Sequence, residues 1–131
     1  MAKIALAPYV NGLAYRWMEA KTASYQVTKE DSGTIFHTTG ATAAVNFTLP
    51  PITDGPFYFR FIAGADQDMT VTAKAADTAV TYNDLAADSV AFSTSSEKIG
   101  GEVEVICDGT TLFVLPRFAD GRYQTATIAT A

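Results

Sequence analysis

Phe57-Tyr58-Phe59-Arg60-Phe61-Ile62, closed by Gly64, and Glu102-Val103-Glu104-Val105-Ile106-Cys107, closed by Asp108-Gly109, decide the fold class of this chain. In each run an apolar residue recurs at every second position. A side-chain period of two bounded by turn residues marks a half-buried strand. Val45, Phe47 and Leu49 repeat the pattern before Pro50-Pro51. Working outward, the same reading predicts strands at Tyr25–Thr28, Thr34–Thr38, Ala43–Leu49, Phe57–Ala63, Met69–Ala73, Ala79–Tyr82, Ser89–Thr94, Glu102–Cys107 and Thr111–Leu115. The connections carry Asp31-Ser32-Gly33, Thr39-Gly40, Asp54-Gly55-Pro56, Asn83-Asp84, Gly100-Gly101 and Asp108-Gly109. Gly, Asn and Asp make such turns through positive φ or side-chain-to-backbone bonding. Asp108-Gly109 is the clearest hairpin. Short strands at this spacing predict an all-β fold, an antiparallel β-sandwich or jelly-roll-like barrel in a single domain. Leu49-Pro50-Pro51 and Leu115-Pro116 are expected at strand exits, where no ladder donor is needed.

Bulk composition narrows the function classes. The chain has 131 residues, 48% of them hydrophobic and 18% charged, which is a globular composition. Its net charge of −5 opposes non-specific nucleic-acid binding, which requires clustered Lys and Arg. No apolar run approaches the ~20 residues of a membrane helix. The opening Met1-Ala2-Lys3-Ile4-Ala5-Leu6-Ala7 stops at Pro8 and is read as mature protein rather than a signal peptide. Cys107 is the sole cysteine, so no intrachain disulfide forms and folding in a reducing cytosol is expected.

The charge is unevenly laid out. Residues 1–23 carry Lys3, Arg16 and Lys21 against Glu19, whereas residues 24–131 carry six basic and thirteen acidic groups. The first segment also holds Trp17, the sole tryptophan, with Tyr9, Tyr15 and Met18 nearby. Residues 1–23 are read as an N-terminal arm, with a first strand packed on the sheet as the alternative. Residues 24–117 form the sandwich. Residues 118–131 are a C-terminal tail or edge strand, in which Tyr123, Thr125 and Thr127 alternate with Gln124, Ala126 and Ile128.

Few residues invite chemistry. His37, the sole histidine, sits mid-strand with no nucleophile elbow in the chain. It reads as a strand residue facing solvent or an interface. Cys107 reads as a buried, inert thiol. Asp66-Gln67-Asp68 has alternate oxygen ligands but lacks the remaining positions of a calcium loop, so solvated turn residues are expected there. Asn46-Phe47-Thr48 matches a glycosylation acceptor but lies inside a strand. The glycines form no phosphate loop. Among Phe57, Tyr58, Phe59 and Phe61, alternation sends the three Phe inward and leaves Tyr58 outside. No catalytic residue, cofactor or metal site is expected, and the chain is not read as an enzyme.

One resemblance goes further. Asp31-Ser32-Gly33-Thr34-Ile35-Phe36, Gly40-Ala41, Phe47-Thr48-Leu49-Pro50, Gly55-Pro56-Phe57-Tyr58-Phe59-Arg60-Phe61, Thr70-Val71-Thr72-Ala73 and Val105-Ile106-Cys107-Asp108-Gly109-Thr110 follow one another in this order. Together they resemble small structural proteins of tailed bacteriophages, namely head decoration (cement) proteins and domains of head or tail fibres. The resemblance covers residues 31–116. It implies a virion protein, made in the host cytoplasm, that decorates the capsid exterior and bridges neighbouring capsid subunits. It further implies the major capsid protein as partner, a homo-oligomer such as a trimer, and no role for nucleic acid or membrane. Tyr9, Tyr15, Arg16 and Trp17 are then the contact residues expected in the arm, because aromatic residues and Arg are the usual interface anchors. The rival reading is a fibre-type host-surface or carbohydrate-binding module, with exposed aromatics at Tyr58, Tyr82 or Tyr123.

Overall fold

The computed structural model describes residues 17–117 and 126–130. Within them the strands are β1 (Trp17–Ala20), β2 (Tyr25–Gln26), β3 (Thr34–His37), β4 (Val45–Thr48), β5 (Phe57–Ile62), β6 (Met69–Thr72), β7 (Ala79–Thr81), β8 (Asp84–Ala87), β9 (Ser89–Phe92), β10 (Glu102–Cys107), β11 (Leu112–Arg117) and β12 (Ala126–Ala129). They build a seven-stranded sheet, ordered β1-β3-β5-β10-β11-β7-β8, and a five-stranded sheet, ordered β12-β9-β6-β4-β2. The two enclose one apolar layer, which makes the chain an all-β sandwich, the class the alternating runs predict.

The sheets are mixed rather than purely antiparallel. Successive strands from β1 to β6 cross from one sheet to the other, so β1, β3 and β5 share one sheet and β2, β4 and β6 the other. A hairpin reverses the chain, but a crossover through the opposite sheet returns it in its original direction. Same-sheet neighbours therefore run parallel in β1/β3, β3/β5, β2/β4 and β4/β6. Strands β9 and β10 then reverse direction and pair antiparallel with β6 and β5. Alternation along a strand is the same in either arrangement, so the sequence pattern is silent on this distinction.

The stacked crossings align aromatic rings. Phe36 on β3 pairs with Phe61 on β5, and their rings stack 5.5 Å apart at 15°. Phe47 on β4 reaches across the layer to Phe61, with centroids at 4.7 Å. Phe36, Phe47, Phe59 and Phe61 are fully buried. Each such ring contributes about 2–3 kcal/mol relative to an exposed position. At the β1/β2 end the interior turns polar. The Tyr25 hydroxyl donates to Asp31 Oδ2 at 2.8 Å, the Thr28 N–H donates to the same oxygen at 3.0 Å, and Lys21 Nζ sits 3.8 Å above the Tyr25 ring.

Of the two readings of residues 1–23, Trp17–Ala20 takes the strand, at the sheet edge in parallel register with β3. Two local expectations are revised. Asn83 takes φ +58° at a tight turn, and Asp84–Ala87 then forms β8 where the sequence shows only a turn. The alternation of β8 is hidden because β8 opposes the single Val80 with two residues, Leu85 and Ala86, a bulge. Finally, Pro116 lies inside β11 rather than at its exit. The Asp108 N–H bonds the Thr111 carbonyl, and counting in twos from that pair makes Val103–Pro116 a non-hydrogen-bonded pair. The Pro116 nitrogen thus points away from β10 to the side where β7 pairs with β11 only at Phe113, so no ladder bond is lost. The Asp108-Gly109 hairpin forms as expected, with Gly109 at φ +97° and Asp108 Oδ1 accepting from the Thr110 and Thr111 N–H groups at 2.8 and 2.7 Å.

Candidate interaction surfaces

Because partners across a sheet point the same way, strand register lays out the surface of each sheet in rows. On the outer face of the seven-stranded sheet, Tyr58, Ile106, Phe113 and Val80 form one row across β5, β10, β11 and β7. The bulge residue Leu85 lies opposite Val80 on β8. Ile106, Phe113 and Leu85 remain 41%, 38% and 82% exposed. Single exposed apolar residues are ordinary, but a continuous row is a candidate contact.

The next two rows are Met18–Ile35–Arg60–Glu104–Leu115 and Ala20–His37–Ile62–Glu102–Arg117. Their charges pair crosswise. Arg60 pairs with Glu102, and Arg117 Nε donates to Glu104 Oε1 at 3.0 Å. The Tyr58 hydroxyl donates to the other Glu104 oxygen at 2.8 Å. Partial burial pushes the Glu104 carboxyl upward, but the Tyr58 and Arg117 hydrogen bonds and the charges of Arg117 and Arg60 outweigh it and hold the group below its ordinary range. The face therefore carries two Arg and two Glu in a network with no net charge.

The five-stranded sheet presents a different surface. Its outward rows are Gln26–Thr48–Thr72–Ser89–Ala129 and Asn46–Thr70–Ala91–Thr127. None of its five strands contains a charged residue. Asn46 and Thr72 bond across β4 and β6, with the Thr72 hydroxyl 2.6 Å from Asn46 Oδ1. The glycosylation-like Asn46 is thus a member of a packed hydroxyl and amide face.

Of the contact residues expected in the arm, Tyr9, Tyr15 and Arg16 lie outside the described residues. Trp17 starts β1 at the sheet edge and is 41% exposed, on the core-facing row beside Thr34. Its neighbour Met18, on the outward row, is 58% exposed. The residues considered for chemistry are dispersed. His37 faces outward from β3 with Nδ1 3.0 Å from Thr39 Oγ1, while Cys107 points into the core from β10. Burial pushes the Cys107 thiol up, against the Gly109 N–H bonded to its sulfur at 3.4 Å, and the Asp108 and Asp77 carboxylates add to the rise. Asp68 pairs with Lys98 at 3.1 Å, and Asp77 accepts from the Ile52 N–H at 2.9 Å. Among the described residues no three His, Cys, Asp or Glu side chains are grouped to hold a metal ion. No helix there is long and apolar enough to cross a membrane.

The apolar row itself was missed by the sequence reading. Its signal was the outward set of the alternating runs, where Ile106 follows Glu102 and Glu104, and Phe113 and Leu115 precede Arg117. Compared with known proteins, the chain matches no family model, no curated protein and no solved structure.

Proposed function

We propose that this protein is a structural component of a tailed-bacteriophage virion that decorates the capsid exterior and bridges neighbouring subunits of the major capsid protein as a homo-oligomer. The resemblance of residues 31–116 to small phage head and fibre proteins supports the reading. The observation that carries it on the molecule is the edge strand β1, which holds two large apolar side chains, Trp17 and Met18, at the surface. The action is mechanical: a protein that binds only the assembled shell stabilises it by mass action. Trp17, with Tyr9, Tyr15 and Arg16 preceding it, is the anchor against the shell.

The test is a pull-down of the full chain, of Trp17→Ala and of a chain beginning at residue 17 with assembled capsids, beside thermal melts of each. The reading predicts that all three stay folded and that both variants bind weakly. Truncating a central Trp anchor costs on the order of 2 kcal/mol of binding. Full binding by both variants contradicts the assignment of the anchor, and absence of binding by the intact chain contradicts the function. The rival carbohydrate-binding reading has Tyr82, 52% exposed, in its favour. A glycan-array signal abolished by Tyr82→Ala is the result that would establish it.

A further inference from the structure

We infer that the Glu19–Lys21 ion pair bars added strands from the free edge of β1, so that this edge meets a partner through the Trp17 and Met18 side chains and not through its backbone. The inference rests on the reading above and refines it by stating how the anchor engages.

Strand β1 ends the seven-stranded sheet, with no strand beyond it among the described residues. The Lys21 N–H donates to the His37 carbonyl at 2.9 Å, and Glu19 stands opposite Phe36 in parallel register. Backbone groups alternate in direction along a strand, so those of Glu19 and Lys21 meet β3 while those of Met18 and Ala20 point out of the sheet. Two N–H and two C=O groups therefore line the edge, a template on which an extended chain could add.

The inner side of β1 opposes that addition. Glu19 shares its side with the fully buried Phe36, so its carboxylate is aimed at the end of the apolar layer. Lys21 Nζ lies 2.8 Å from that carboxylate and 3.8 Å above the Tyr25 ring of β2, bridging from sheet to sheet. The Lys21 and Glu19 side chains are still 22% and 28% exposed, so water reaches both. An added strand would cover them, and the desolvation of two charges opposes the contact. A second copy of β1 laid antiparallel, with Met18 against Ala20, would use all four outward groups. That register sets the Glu19 residues of the two copies directly opposite, with Cα atoms about 4.5 Å apart, an unfavourable like-charge pair. Inward-pointing charge is one of the ways a sheet edge is kept from pairing. The far edge of the same sheet is blunted differently, by the bulge in β8. Trp17 and Met18, on opposite sides of β1, stay available to the side chains of a partner.

Amide hydrogen exchange and sedimentation velocity of the full chain, without capsids, test the inference over a range of protein concentrations. In the intact chain the Met18 and Ala20 amides should exchange fast at every concentration, while those of Glu19 and Lys21 are protected by β3. Glu19→Val should slow Met18 and Ala20 exchange by about tenfold or more at high concentration and raise the sedimenting mass. Glu19→Thr provides the same reading should the valine variant fail to fold. Ala20→Pro added to Glu19→Val should reverse the gain in mass, because it removes an outward N–H and no bond to β3. Exchange and mass unchanged in both Glu19 variants overturn the inference, as does concentration-dependent protection of Met18 and Ala20 in the intact chain. With capsids, Ala20→Pro alone should bind as the intact chain does. Loss of that binding with the circular dichroism spectrum unchanged also overturns the inference, because the edge backbone then makes the contact. Failure of the intact chain to bind capsids, with the Glu19 variants behaving as described, sinks only the decoration role.

Discussion

The outer face of the seven-stranded sheet and that of the five-stranded sheet grow from the same strand pattern, yet they share almost no chemistry. Facing inward, both contribute Phe, Val and other apolar side chains to one layer, as Phe61 and Phe47 show. Facing outward, the first carries an apolar row beside crossed Arg–Glu pairs, and the second carries hydroxyls, amides and methyls without a charge. The inward positions are constrained by packing and the outward ones are released from it. What distinguishes the two faces therefore lies in the outward set alone, and that set holds the information about partners.

The comparison can be broken at its base through the layer the faces share. Phe61 is fully buried and touches Phe36, Phe47 and Phe59. Phe61→Ala should cost about 3–5 kcal/mol in denaturant unfolding, removing both faces together. A smaller wedge is Gly101, where an added Cβ would lie 2.7 Å from the Phe92 ring. Gly101→Ala should cost about 1–3 kcal/mol by overpacking between the sheets, read from the same unfolding curves.

The charged network gives the seven-stranded face its own pH signature. In the folded protein Glu104 ionises below its ordinary range, near 4.3 for an unfolded chain, so folding favours the carboxylate. The stability this contributes is present above that unfolded value and is lost as pH falls through the lower folded one. Between about pH 5 and pH 3 the intact protein should lose more stability than Glu104→Gln, measured by denaturation at each pH. Equal losses would show that the Tyr58 and Arg117 contacts do not bias Glu104. The five-stranded face sets the floor of the series. Thr70→Lys places one charge on an open, half-buried row and should move stability by no more than about 0.5 kcal/mol.

The division between what the sequence discloses and what it withholds follows from these same residues. The run at Glu102–Cys107 locates its strand to the residue and the one expected at Phe57–Ala63 ends one residue early, at Ile62, because packing enforces their alternation. The Asp108-Gly109 turn is readable because Gly109 needs a positive φ and Asp108 bonds the backbone ahead of it. Strand direction is not readable: a crossing of the sandwich and a hairpin leave the same alternation, and only the register of Phe36 with Phe61 reveals the parallel stack. Strand β8 escapes because its bulge breaks the period opposite Val80. Trp17 can be singled out from composition, but its place at a sheet edge depends on pairing with Thr34, seventeen residues on. The Ile106–Phe113 row escapes because its members come from separate strands and meet only once register is fixed.

The most direct test of the account is an electron-microscopy map of phage heads assembled in the presence of this protein, at a resolution that traces strands. The account predicts density on the capsid exterior, with β1 and Trp17 toward the shell. Density that seats the five-stranded face against both shell and neighbour, or heads that lack the chain altogether, would contradict it.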